Sequence, residues 1–110
     1  MASLIPKNFY TGNSTAANVY TVANTASFYS IIKNINICNT SNAANATASI
    51  HLLTDGAAPS NDNKIISNAL IILADVLYYN TSIVVPANTK IYVSSSSSSL
   101  TFSISGVEYA

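Results

Sequence analysis

The chain has 110 residues, as many acidic as basic side chains, and a charged fraction of only 7%. A chain of this length forms one domain, and 49% apolar residues supply enough core to argue against disorder. The scattered lysines and the absence of arginine exclude the basic stripe of a nucleic-acid-binding protein, and no apolar run is long enough for a membrane span.

The first eighteen residues are predicted to form an N-terminal arm, or an edge strand followed by a loop. Proline lacks the N–H that a central strand needs, so Pro6 favours an edge position. Residues 19–110 are predicted to form a single β-sandwich domain. The apolar side chains of the arm are candidates for contact with a neighbouring subunit: Leu4, Ile5, Phe9 and Tyr10.

The clearest strand pattern runs from Ser27 to Thr40, where apolar and polar side chains alternate up to a cluster of turn-forming residues. Such alternation is typical of a half-buried strand. Residues 41–45 are predicted to join this strand to a second one, Ala46–Thr54, in a hairpin. In the second strand His51 alternates out of the face that contains Ile50, so we expect its side chain to be partly exposed.

The middle of the chain contains a polar loop and an ambiguous apolar run. Asp55–Lys64 includes both glycine and proline and is predicted to be a surface loop. Residues 65–77 are compatible with a short helix or with two short strands, at 65–66 and 70–73. Periodicity does not separate these alternatives in a short run, and the neighbouring strands favour strands.

The last third of the chain is predicted to contain three strands, Ile83–Pro86, Thr89–Ser95 and Leu100–Tyr109. The serine run at 94–99 is predicted to be a hairpin tip with its adjoining strand ends. A phase shift at Gly106 predicts a β-bulge there, because glycine tolerates the backbone that a bulge needs.

These elements predict an all-β fold, an antiparallel, jelly-roll-like β-sandwich of about seven to nine short strands. The in-phase apolar residues of the four clearest strands define the expected core. They are Ile35, Ile37, Ile50, Leu52, Ile91, Val93, Phe102 and Ile104.

No set of residues in the sequence matches a catalytic, cofactor-binding or metal site. The single histidine and the single cysteine lack partners of the required types, and Cys38 is predicted to be a small buried side chain. The two aspartates of the polar loop lack the alternating oxygen ligands of a calcium loop. The tyrosines suit protein interfaces or sugar stacking. Further interface candidates are therefore Tyr78, Tyr79 and Tyr92.

Four segments resemble a family of small bacteriophage virion proteins. They are Val19–Val22, Ile31–Ser41, Ile83–Ser94 and Phe102–Tyr109, which carry a strand ending in Asn-Thr-Ser, a Pro-Ala-Asn-Thr turn before an alternating strand, and a closing Ile-Ser-Gly-Val-Glu strand. The resemblance implies a β-sandwich at the head surface, neck or tail of a virion. It marks no catalytic residue.

The expected function is a non-enzymatic structural component of a phage virion, assembled in the cytoplasm of the host bacterium. It would act through repeated contacts with itself and with other virion proteins, without cofactor or nucleic acid. The alternative is a receptor- or carbohydrate-binding module on a tail or fibre, with a host surface glycan as ligand. That alternative places the Asp55–Lys64 loop beside Tyr78 and Tyr79. An enzyme is the third hypothesis and is ranked last, because the sequence contains no nucleophile set and no acid–base pair.

Overall fold

The computed structural model describes residues 3–25, 27–54 and 56–109 and contains two antiparallel sheets of four strands each. The predicted all-β sandwich is confirmed, with eight strands. Asp55, part of the predicted loop, lies outside the described residues. The strands are β1 (Leu4–Gly12), β2 (Ala16–Thr21), β3 (Tyr29–Asn39), β4 (Ala46–Thr54), β5 (Lys64–Ile71), β6 (Val76–Pro86), β7 (Thr89–Ser95) and β8 (Leu100–Tyr109).

The strand order is that of a jelly roll. Sheet A has the order β1-β8-β3-β6, and sheet B has the order β2-β7-β4-β5. Among these strands only β4 and β5 are consecutive members of one sheet, so theirs is the one hairpin of the described chain. The hairpins predicted at 41–45 and at the serine run are wrong, because both connections cross between the sheets. A polar turn has the same residue composition whether it closes a hairpin within one sheet or crosses from one sheet to the other.

The N-terminal residues are part of the sandwich. β1 is an edge strand of sheet A and pairs with β8. Phe9 is only 6% exposed and packs in the core. The domain boundary predicted between residues 18 and 19 falls inside β2.

The two strands after the polar loop are longer than predicted. β5 is one continuous strand, so both the short helix and the pair of short strands are wrong for residues 64–71. It passes through Asn68 with a φ of +49°, a left-handed conformation that asparagine tolerates better than most residues. β6 begins at Val76, seven residues before the predicted start at Ile83.

The core lies between the two sheets and is almost wholly aliphatic. Every predicted core residue is buried except Leu52, which is partly buried and packs against the core. Its neighbour Leu53 is buried on the opposite face of β4, at 3% exposure. His51 is buried on that same outer face, where its side chain contacts Asn63 of the β4–β5 connection.

A bulge in β3 changes which side chains face the core. The register between β3 and β8 shifts at Lys33, opposite Gly106, so Ile32 and Ile35 both point inward. Strict alternation had placed them on opposite faces. The bulge predicted in β8 thus lies in its neighbour. A Cβ at Gly106 would overlap the carbonyl oxygen of Ile31, so only glycine permits this approach of the two strands.

Candidate interaction surfaces

The outer face of sheet A carries apolar side chains near the start of β1. Ile31 lies between two buried residues of β3, so alternation directs its side chain outward. Its direct cross-strand neighbours are Val107 and Val84, and Pro6 lies opposite Val107. Together with Leu4 these residues form what we call the sheet A patch. No member of the patch is charged.

Two stacked tyrosines border the sheet A patch. The ring centroids of Tyr29 and Tyr109 are 5.1 Å apart and the rings are inclined by 18°. Leu4 lies opposite Tyr109 and is 54% exposed. Stacked aromatic pairs contribute about 0.5–1.5 kcal/mol beyond the burial of their area. The stack therefore holds the two tyrosine rings in place at the border of the sheet A patch.

The other half of the same face is polar and contains one charged side chain, Lys33, whose Nζ donates to Ser82 Oγ of β6 at 2.8 Å. Asn34 Nδ2 donates to Asn80 Oδ1 at 3.2 Å across the β3–β6 pair. Asn36 lies opposite Tyr78 on one side and Ser103 on the other. Tyr78 is 58% exposed, so an aromatic face stands beside several amide and hydroxyl groups.

The most exposed apolar surface lies where β5 passes into β6. Six of the nine exposed large hydrophobic residues of the described chain fall within residues 70–79, and Leu70 is 60% exposed. We call this group the β5–β6 corner. Its members are Leu70, Ile72, Leu73, Val76, Tyr78 and Tyr79.

The turn of the β5–β6 corner is fixed by hydrogen bonds to the β3–β4 connection. Leu73 N donates to Asn45 Oδ1 at 3.0 Å, and Ala74 N donates to Ser41 O at 2.8 Å. Asp75 Oδ1 accepts from the N–H of the next residue at 2.8 Å. These bonds hold the backbone, so the apolar side chains of the turn are presented to solvent in a defined arrangement.

Asn39, at the end of β3, connects the segments around this corner. It is 1% exposed, and its Nδ2 donates to Ala44 O at 3.0 Å and to Ile71 O at 3.1 Å. Its Oδ1 accepts from Ser41 N at 3.0 Å and from Ser99 Oγ at 3.1 Å. One side chain thus ties the β3–β4 connection, the end of β5 and the serine loop together. The Asn-Thr-Ser motif carried this signal, although we had interpreted it only as a turn.

The predicted interface residues are in different places. Leu4 and Ile5 are exposed on β1, whereas Phe9 is a core residue whose ring packs against that of Tyr20, with centroids 4.8 Å apart. Tyr10 is half-buried and its hydroxyl donates to Ser14 Oγ at 2.8 Å. Tyr78 and Tyr79 are both exposed in the β5–β6 corner. Tyr92 is half-buried on the outer face of sheet B.

His51 is buried, and the prediction of partial exposure is wrong. It is 4% exposed and its ring meets that of Tyr92 edge-on, with centroids 5.7 Å apart. Its Nδ1 lies 2.6 Å from Asn63 Oδ1, which also accepts from Ser60 N. Since that oxygen is an acceptor, His51 Nδ1 carries the hydrogen. The β4–β5 connection therefore covers sheet B and is not beside Tyr78, contrary to the prediction.

The charged side chains are spread over both sheets, and an ion pair lies at the β1 edge. Lys7 Nζ lies 3.4 Å from Glu108 Oε1 and 5.4 Å from the ring centroid of Tyr20. Ser30 Oγ donates to the other oxygen of Glu108 at 3.4 Å. Between Lys64 and Lys90 the sequence contains a single charged residue, Asp75, and Lys33 of β3 reaches β6, where its Nζ donates to Ser82 Oγ at 2.8 Å.

The described residues contain no group of three or more His, Cys, Asp or Glu side chains that could hold a metal ion. Cys38 was predicted to be buried but is half-exposed, because it points outward between the inward residues Ile37 and Asn39. In the part of the chain that the structure describes, no helix has the length and apolar character needed to cross a membrane.

Comparison with family models, curated proteins and solved structures gave no match.

Proposed function

We propose that the protein is a non-enzymatic structural subunit of a bacteriophage virion that acts through repeated contacts with itself and with other virion proteins. The observation that carries the proposal is the amount of exposed apolar side chain on the β5–β6 corner, where residues 70–79 contain one charged residue, Asp75, and on the sheet A patch. Monomeric proteins rarely expose large contiguous apolar surfaces, and such surfaces mark interaction sites.

The composition of the surface supports the same proposal. Small monomers stay apart by covering themselves with charge and by keeping their net charge away from zero. This chain has a formal net charge of zero and only eight charged residues, four basic and four acidic. Its surface is instead built from Asn, Ser, Thr and Tyr, which form hydrogen bonds with neighbours without the desolvation cost of ions.

The fold and the sequence resemblance add the virion setting. Jelly rolls with eight strands in two sheets are common in viral capsid proteins, although the fold also serves many other functions. The segments at Ile31–Ser41 and Phe102–Tyr109 resemble small phage virion proteins, and both are strands of sheet A. The subunit would thus belong to the head surface, neck or tail and reach the virion during assembly in the host cytoplasm.

Quantitative mass spectrometry of purified phage particles tests this proposal. We expect the protein at a fixed copy number above one per particle, enriched over the lysate of infected cells. Its absence from particles that infect normally would overturn the proposal.

A glycan-binding module is the second candidate, and the exposure of Tyr78 favours it. An aromatic face beside Asn36 and Asn80 on a flat sheet offers stacking and hydrogen bonds to a sugar ring. If this candidate is right, Tyr78→Ala should abolish glycan binding while Tyr92→Ala, on the other sheet, should retain it. A glycan array without any bound sugar contradicts this function.

A further inference from the structure

We infer that two copies of the protein associate through their β5–β6 sides about a two-fold axis, with β6 paired to β6. The inference deepens the proposed function and rests on it, since it names the surface that would join copies of the subunit. The β5–β6 side comprises the β5–β6 corner and the free edge of β6. It is the side where both sheets end, because β6 is an edge of sheet A and β5 an edge of sheet B.

The four edge strands differ in their protection against pairing with another chain. Natural proteins protect edges with proline, charge, bulges or short strands. β1 contains Pro6, Lys7 and an irregularity near Phe9, while β2 has only six residues and an irregularity of its own. β5 has an irregular register with β4 around Asn68, where the backbone adopts a left-handed conformation.

β6 has the least protection. It has 11 residues and no charged side chain, and its proline stands at the very end. Its register shifts once, at Thr81–Ser82, which leaves Val76–Asn80 as a regular segment. This segment offers an open row of backbone donors and acceptors. Two identical strands satisfy such a row when they run antiparallel about a two-fold axis.

The side chains around this edge favour a second copy over a charged partner. The exposed residues of the β5–β6 corner supply apolar contacts, and the hydrogen bonds of its turn hold them in place before association. Preorganisation lowers the entropy lost on binding. β6 itself contains no charged residue, and the charges near it are Asp75 and the Lys33 ammonium bonded to Ser82, which have opposite signs and offer no charged surface of one sign to a partner.

The register follows from the centre of the regular segment. An axis at Tyr78 pairs Val76 with the second copy's Asn80 and brings the two Tyr78 side chains together. The two Asp75 residues are then six positions apart along the strands, about 20 Å at ~3.4 Å per residue. That exceeds the screening length of about 8 Å at physiological ionic strength, so they do not oppose pairing.

Sedimentation equilibrium of the full chain tests the inference. The wild type should dimerise. Tyr78→Lys, at the axis, should raise the dimer Kd by about tenfold or more, as expected for a central contact residue, and Leu73→Lys, at the rim of the interface, should also raise it. Leu4→Lys, which adds the same charge at an exposed site on the sheet A patch, should leave the Kd unchanged. Far-UV circular dichroism of each variant must match the wild type.

Cross-linking tests the register. In a Cys38→Ser background, Tyr78→Cys should form a disulfide-linked dimer on oxidation, because directly opposed residues of paired strands are close enough to be bridged. Tyr92→Cys on sheet B should stay uncrosslinked in the same background. Equal cross-linking of both variants would refute pairing through β6.

The outcomes separate the inference from the proposed function. If the wild type stays monomeric up to millimolar concentration, pairing through β6 is wrong. The proposed function is then still tested separately, by whether the protein is present in purified particles. If Leu4→Lys dissociates the oligomer and Leu73→Lys does not, copies meet through the sheet A patch. The subunit role then stands and the inference fails.

Discussion

Replacement of Asn39 should destabilise the fold more than its polar character suggests. Asn39→Ala removes four hydrogen bonds from a side chain that is 1% exposed. A net contribution of about 1 kcal/mol per hydrogen bond, less what water recovers at the outer groups, gives a loss of about 2–4 kcal/mol. The freed carbonyl of Ile71 accounts for much of this loss, because its hydrogen bond is buried.

Urea unfolding followed by far-UV circular dichroism measures this loss, and Asn36→Ala is the matched control. Asn36 lies three residues earlier on the same strand, half-buried on the outer face, and should cost less than about 0.5 kcal/mol. Equal free energies of unfolding for the two variants would refute the assignment of a structural role to the Asn39 network.

Asn39→Asp distinguishes the donor half of the amide from the acceptor half. The new carboxylate would face the carbonyls of Ala44 and Ile71 and would be buried without a cation. At neutral pH the cost should exceed that of Asn39→Ala, since an unpaired buried charge is more expensive than a missing hydrogen bond. Acidification towards the ordinary carboxyl pKa of about 4 should reduce the difference, because protonation removes the charge and restores one donor. A penalty that is independent of pH would contradict this geometry.

Three further substitutions test the packing. Gly106→Ala should cost about 1–3 kcal/mol by overpacking against the β3 backbone, whereas Ser105→Ala should be nearly neutral in the same thermal melt. Leu53→Ala should destabilise more than Leu52→Ala, by about 1 kcal/mol or more in urea unfolding, because Leu53 is the more deeply buried. His51→Ala should leave the sandwich folded but increase amide hydrogen exchange in the β4–β5 connection, and unchanged exchange there would contradict its anchoring role.

The alternation of apolar and polar residues was enough to predict the fold class and most strands. It gave the position of β3, β4, β7 and β8 within a few residues, because each has one face in the core. It did not give the topology. Pairing across a hairpin and crossing between sheets use the same turn residues, and only the packing of the whole chain separates them.

Alternation also failed where a single residue interrupts it. β3 bulges at Lys33, so Ile32 and Ile35, which strict alternation places on opposite faces, both point into the core. The apolar run at 69–73 shows a second limit of prediction from sequence patterns. An apolar run is compatible with burial or with an interface, and Leu70 and Leu73 turned out to be exposed. The hydrogen-bonding role of Asn39 was not predicted for a third reason, because several of its partners lie in segments that are distant in sequence.

The two apolar surfaces have different consequences for assembly. A two-fold contact uses the same surface of both copies and therefore closes at two subunits. Pairing through β6 leaves the sheet A patch accessible at the exposed Leu4 in each copy, so a dimer still has a surface for another virion protein. Leu4→Lys should then preserve the dimer yet reduce incorporation into particles, as measured by mass spectrometry after complementation. Incorporation at the wild-type level would show that the sheet A patch is not used in assembly.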